Sequence, residues 1–314
     1  MLRRHALKSV VACVAGGLVQ VSAREAKGGP SVAQTPPVTR PSFLEAGDGT
    51  RLFYRDWGPK TGQPLVFLAP WAMTVDWFEY QMTFLAGRGF RCIGYDRRGH
   101  GRSDEPGQGY DFATLTADLA MVIDRLDLHG ITLVGHSLGA GEAVRYLSLY
   151  GPARVSRLTL IAPITPFALK TPDNPDGTER GVMEAGRAKL SHDRPGQITQ
   201  AAPAFFGTDV NTVSPAILQW WIDMLLDQCS LKVMVDLHRM FTETDFRPDL
   251  RTITVPTLIV HGDHDLSTPL DRNGRRTAQM IASSRLQIYE RAAHALPITH
   301  MDRLNEDLLA FAQS

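Results

Sequence analysis

"GITLVGHSLGAGEAVRYL", residues 130–147, decides how this chain folds. The run Ile131–Val134 is short, apolar and non-alternating, as a strand buried on both faces requires. From Leu138 onward the composition turns helical. Gly135-His136-Ser137-Leu138-Gly139 joins the two as G-x-S-x-G. Side chains at the glycines of so sharp a turn would collide with the neighbouring strand and helix. The turn in return lifts the Ser137 hydroxyl above the end of the sheet. The helix that follows adds positive partial charge at its first turn. A plain strand-to-helix turn would leave a solvated serine. The strand before and the helix after favour a nucleophile.

The same punctuation repeats along the chain. "SFLEAGDGTRLFYRDWG" (42–58) reads as two strands around a Gly-Asp-Gly turn. "PLVFLAP", "RCIGYD", "VSRLTLIAP", "TVPTLIVHG" and "SRLQIYE" are further buried-strand runs, and helical stretches lie over 113–128, 138–150, 269–282 and 299–312. This alternation predicts an α/β fold with a mainly parallel sheet flanked by helices. It breaks between about 166 and 250. "GVMEAGRAKL" and "AILQWWIDMLLDQCSLKVMVDLHRMF" there are helical in period and no strand is convincing. Strand segments resume directly afterwards, so 167–250 is expected to be a helical lid inserted into a core formed by 42–166 and 251–314.

Composition sets the outer limits. The chain has 314 residues, 43% hydrophobic and 21% charged, with 33 basic residues against 33 acidic. That suits a globular protein with a sizeable core and offers no concentrated basic face for nucleic acid. No apolar run is long enough for a stable membrane anchor. Residues 1–23 have a basic start, a modest apolar run and small residues before Arg24, the layout of an export signal; the Arg3-Arg4 pair resembles the twin-arginine type. Such a signal places the protein in the periplasm or outside the cell; unused, it leaves a cytoplasmic protein. Residues 24–41 are rich in Pro, Gly and small polar residues and read as a flexible linker. Of the three cysteines, Cys92 and Cys229 are expected to be separate buried thiols, and Cys13 would leave with the signal.

A serine hydroxyl needs a base to take its proton. "TLIVHGDHDLSTP" supplies Asp263 and Asp265 just after a strand, and "LQIYERAAHALP" supplies His294 after the last one. The order serine, acid, histidine is the one such a turn calls for. His294 would shuttle the proton and an aspartate would hold its tautomer. The tetrahedral intermediate needs two backbone donors. The N–H of Leu138 is one, and the N–H of Trp71, after "PLVFLAP", is the other. His261, Asp263, His264 and Asp265 share one turn and cannot easily converge on a metal ion, so no metal site is expected. His136 is expected to be a packed neighbour of the nucleophile. The lid aromatics Phe205, Phe206, Trp220 and Trp221 are candidates for lining a substrate pocket.

From about 42 to 312 the chain resembles the α/β-hydrolase superfamily, and within it the cofactor-free (non-haem) haloperoxidases and their aryl-esterase relatives. The residues that carry the resemblance are "YDRRGHGRSDEP" (95–106), "GHSLGA" (135–140), "APAFFG" (202–207), "FTETDFRPDL" (241–250), "VPTLIVHGDHD" (255–265) and "AHALPITHMDRLNEDLLAF" (293–311). The resemblance implies an α/β-hydrolase fold with an eight-stranded type of sheet. It puts the triad acid on Asp265 rather than Asp263 and the base on His294, and it makes 95–103 a loop-shaping segment. Relatives usually carry His-Gly before the oxyanion tryptophan, and several a proline after it; this chain has Ala69-Pro70 and Ala72.

The function expected is hydrolysis of small carboxylic esters, aryl esters or lactones through an acyl-enzyme, with a peracid/haloperoxidase side reaction. No Walker loop or dinucleotide glycine pattern is present, so no cofactor is expected. A lyase or cofactor-free oxygenase could use the same triad, as could a slow-turnover ligand-binding homologue. The oligomeric state is open, a homo-oligomer included.

Overall fold

The computed structural model describes residues 43–314. The export signal over 1–23, the linker over 24–41 and Cys13 lie outside the described residues.

Eight strands form one sheet: β1 (Phe43–Glu45), β2 (Arg51–Trp57), β3 (Pro64–Leu68), β4 (Arg91–Tyr95), β5 (Ile131–His136), β6 (Val155–Ile161), β7 (Thr257–Gly262) and β8 (Ser284–Tyr289). Their order is β1-β2-β4-β3-β5-β6-β7-β8. β1 and β2 pair antiparallel, β2 is antiparallel to β4, and every other pairing is parallel. All residues of β5 and of β7 are buried. Helices cover both faces of these strands, which is why neither alternates. β8 is less buried than its apolar run suggests, because it is the edge strand.

Helices α1 (Glu79–Ala86), α2 (Phe112–Arg125) and α3 (Leu138–Tyr150) follow β3, β4 and β5. Five helices form the insertion between β6 and β7: α4 (Arg180–His192), α5 (Arg194–Phe206), α6 (Pro215–Asp227), α7 (Leu231–Glu243) and α8 (Arg247–Leu250). After β7 come α9 (Gly274–Met280), then α10 (Leu296–Thr299) and α11 (Met301–Gln313) beyond β8. The continuous helical period over 216–241 breaks into α6 and α7. The Gln228 carbonyl takes the N–H of Gly101 at 2.7 Å, and Ser230 caps the new helix by accepting from the N–H of Val233 at 3.3 Å. The stretch 269–282 is helical only from Gly274, because the Asn273 side chain is anchored to the carbonyls of Ile164 and Thr165.

Besides the one-turn helices α8 and α10, two longer helices were not visible in the sequence. In α1 a polar residue takes a core position: Gln81 is fully buried and donates to the Pro297 carbonyl at 2.8 Å. In α5, Pro195, Gly196 and Pro203 read as loop residues. Asp193 caps this helix at the Gly196 N–H, and Pro195 sits in the first turn, where its missing N–H costs nothing.

The strand order reverses at β3, which lies between β4 and β5. In a parallel sheet a crevice opens at the carboxyl ends where this happens. Leu68 pairs with Gly135, so the loop after β3 and the turn after β5 lie side by side there.

The core also holds neutral histidines. His100 is 1% exposed; burial, and then the charge of Arg97, bring it down to about 3. A folded value below the unfolded one means the unfolded chain binds the extra proton. The stabilisation is therefore complete above pH 6.5 and lost as pH falls toward 3. We expect this group to remove about 2 kcal/mol between pH 7 and pH 5. Urea midpoints at the two pH values, compared between the native chain and His100→Gln, measure it, and the same fall with pH in both would contradict it.

Candidate active site

Ser137 stands between β5 and α3 with φ 55° and ψ −112°. A non-glycine residue there is strained, and the surroundings hold it. Its N–H donates to the Ile161 carbonyl of β6 at 2.9 Å, and its own carbonyl accepts from Ala140 at 3.1 Å. A Cβ on Gly135 would strike the backbone of Gly139, and a Cβ on Gly139 would strike the Leu68 carbonyl. The glycines let the turn close against β3. Leu138 opens α3, so its N–H lies in the first turn, where the helix's own carbonyls cannot reach it.

Asp265 follows β7 and is 3% exposed. It accepts from the N–H groups of Ser267 (2.8 Å) and Thr268 (2.9 Å) and from the Thr268 hydroxyl (2.9 Å). Its Oδ2 also lies 2.7 Å from Nδ1 of His294. Burial alone would raise this carboxyl. The charge and hydrogen bond of His294, helped by His261 and the Thr268 N–H, outweigh it and bring it down to about 2. Asp265 is thus an anion in the neutral range. Asp263 is exposed and accepts from the N–H of Arg291. With Nδ1 engaged by Asp265, the other ring nitrogen of His294 is Nε2. His294 and Ser137 border the same cavity, of about 600 Å³.

His136 is buried as expected, and it touches the site. Its Nδ1 accepts from the indole N–H of Trp77 at 3.0 Å, and its ring centroid lies 4.9 Å from that of His294. Burial first, then the charge of His294, hold it well below the usual histidine range. Phe205 packs on the His294 ring at 5.3 Å, and its carbonyl accepts the N–H of Ala295 at 2.9 Å. Of the four lid aromatics, Phe205 and Trp221 line the cavity. Phe206 and Trp220 do not. Phe206 is fully buried, and Trp220 stacks on Trp77 at 6.0 Å.

Trp71 lines the cavity, and its indole N–H donates to the Met234 carbonyl of α7 at 3.0 Å, tying the loop to the lid. Ala72 has φ 60°, a value that a proline cannot take. The loop is clamped from below. Arg97 donates to the Ala69 carbonyl at 2.6 Å and pairs with Glu142, which also takes the Tyr95 hydroxyl. Arg97 is 2% exposed and Glu142 fully buried. Glu142 is one residue the sequence did not single out; its signal is an acid in the small-residue start of α3. Arg97→Ala would leave that carboxylate unpaired in the core. It should cost about 3–5 kcal/mol, read as a lower urea midpoint. A loss below about 1 kcal/mol would contradict the clamp.

Thr268 was also missed. It binds Asp265 twice and reaches Nδ1 of His294 at 3.2 Å, and nothing in "DLSTP" marks it out. His264 pairs with Asp209, and His261 is buried with Nε2 2.6 Å from the Thr268 carbonyl. Among the described residues no cluster of three or more His, Cys, Asp or Glu could hold a metal ion, and no helix is long and apolar enough to cross a membrane. Cys92 and Cys229 are buried free thiols.

Residues 63–301 match the family model of the α/β hydrolase fold. The chain belongs to the α/β-hydrolase family, alongside the non-haem haloperoxidases and related esterases. It is similar to a non-haem chloroperoxidase of Streptomyces lividans, at 38% identity over 86% of this chain and 99% of that protein. It is similar to a bifunctional esterase/perhydrolase of Acinetobacter calcoaceticus, at 34% identity over 87% and 99% of the two chains. Among solved structures, an esterase of Exiguobacterium antarcticum aligns with a TM-score of 0.82 at 32% identity, covering 87% of this chain and 99% of that one. This α/β hydrolase is therefore a serine-type enzyme at the level of its family. Four of the six segments quoted above for the resemblance lie at or just after the carboxyl ends of β4, β5, β7 and β8, and the other two, 202–207 and 241–250, lie in the helical insertion.

Proposed function

We propose that the protein hydrolyses small carboxylic esters, with Ser137 as nucleophile, His294 as base and Asp265 as its partner. The observation that carries this reading is the buried 2.7 Å Asp265–His294 pair on the cavity that also holds Ser137. Ser137 attacks the ester carbonyl while His294 Nε2 takes its proton. The carbonyl oxygen becomes an oxyanion received by the N–H groups of Leu138 and Trp71. The imidazolium, stabilised by the Asp265 anion, returns the proton to the leaving alcohol. Water then gives a proton to His294 and attacks the acyl-serine; as the tetrahedral intermediate collapses to release the acid, His294 returns that proton to the Ser137 oxygen. Hydrogen peroxide in place of water would release a peracid instead. The conformation of Ala72, closed to proline, favours hydrolysis as the main reaction in this reading, with perhydrolysis the minor one.

The test is turnover of p-nitrophenyl acetate and butyrate in the presence of a metal chelator, with peracid formation from acetate and peroxide measured beside it. We expect ester hydrolysis to exceed perhydrolysis. Absence of hydrolysis of both esters would contradict the reading.

A further inference from the structure

The wall beside Ser137 is largely apolar, and its mouth residues Asp176 and Arg272 are solvated. Among the lid residues that line the cavity, two carry a buried polar atom without a partner. The first is the indole N–H of Trp221 on α6, buried with no acceptor among the described residues. Its ring lines the cavity and stacks on Phe205 at 4.7 Å, on the His294 side. The second is His238 on α7, which lines the cavity on the other side, 6.0 Å from the Trp71 ring. Its Nδ1 is buried without a partner. Burial, and then the charge of Arg187, lower it to about 4, so the ring is neutral near pH 7. With no partner at Nδ1, the other ring nitrogen, Nε2, is free to carry the proton and donate it. The cavity is thus flanked by one buried donor, the Trp221 N–H, and one histidine with a buried Nδ1, and the described residues supply neither atom with a partner. Buried polar atoms without partners destabilise a fold unless a ligand meets them.

We propose that the cavity selects esters carrying a further oxygen acceptor on the acyl or alkoxy chain, such as hydroxy, alkoxy or oxo groups, bound by His238 and Trp221. This rests on the esterase reading and names the substrate class of the same site. A pocket built to hydrogen-bond a substrate oxygen rejects the analogue that lacks it more strongly than an apolar pocket rejects an added methylene.

Two matched pairs of substrates test it, each differing by one CH₂→O exchange at equal chain length. p-Nitrophenyl butyrate is compared with p-nitrophenyl methoxyacetate, and butyl acetate with 2-methoxyethyl acetate. The quantity read is the kcat/KM ratio within a pair, for the native chain and for His238→Leu and Trp221→Phe. Intrinsic ester reactivity and any loss of folded protein cancel when these ratios are compared. In at least one pair, we expect the oxygen-containing partner's advantage to fall on the order of tenfold in a variant. Ratios unchanged within about twofold in both pairs and both variants, with all esters still hydrolysed, would overturn the inference and leave the esterase reading standing. A native chain that hydrolyses none of the four would overturn the esterase reading itself.

Discussion

Ser137→Ala is expected to lower kcat on p-nitrophenyl acetate by about 10⁴- to 10⁶-fold, the range over which removal of a triad nucleophile acts. The fold should survive, since Ser137 is held through its backbone N–H to Ile161 and its side chain makes no hydrogen bond that the packing needs. Ser137→Gly sharpens the test. At φ 55° and ψ −112° a glycine is unstrained where serine is not. Relief of strain should raise stability by about 1 kcal/mol or more while activity is lost equally. An inactive protein with a higher melting temperature would show that the strained serine is kept for chemistry. A variant retaining near-native rates would contradict its assignment.

The second large effect separates two aspartates two positions apart. Asp265→Asn should lower kcat by about 10⁴-fold. The carboxylate takes the Nδ1 proton of His294 and the Thr268 hydroxyl on one oxygen, and two backbone N–H groups on the other. An amide cannot accept at both ends, so its NH₂ either opposes these donors or turns His294 to the wrong tautomer. Asp263→Asn should change the rate by no more than a few fold, because Asp263 is exposed and meets only the Arg291 N–H. Parallel kcat measurements decide between them, and greater damage from Asp263→Asn would reverse the assignment.

These residues differ in how plainly the chain displays them. β5, Ser137 and α3 were legible because period, glycine spacing and composition all change within a few residues. The parallel core and the lid followed from apolar runs that do not alternate. What escaped was held together across long sequence separations. Gln81 disguises α1 because it satisfies a carbonyl in α10, and Pro203 disguises α5 because the helix is kept by packing on the site. The Gln228 break depends on Gly101, far away in the chain. Trp220 and Trp221 are adjacent, yet one packs on Trp77 and the other faces the cavity; a helical period cannot tell which apolar neighbour faces a void. Glu142 and Thr268 act through partners that only the fold brings near.

Acylation of Ser137 itself can be read by covalent trapping. A fluorophosphonate probe should inactivate the enzyme one-to-one. Peptide mapping should then place the adduct on Ser137, in the tryptic fragment spanning 126–145. Full labelling of Ser137 with esterase activity intact, or complete inactivation with the adduct elsewhere, would contradict the account.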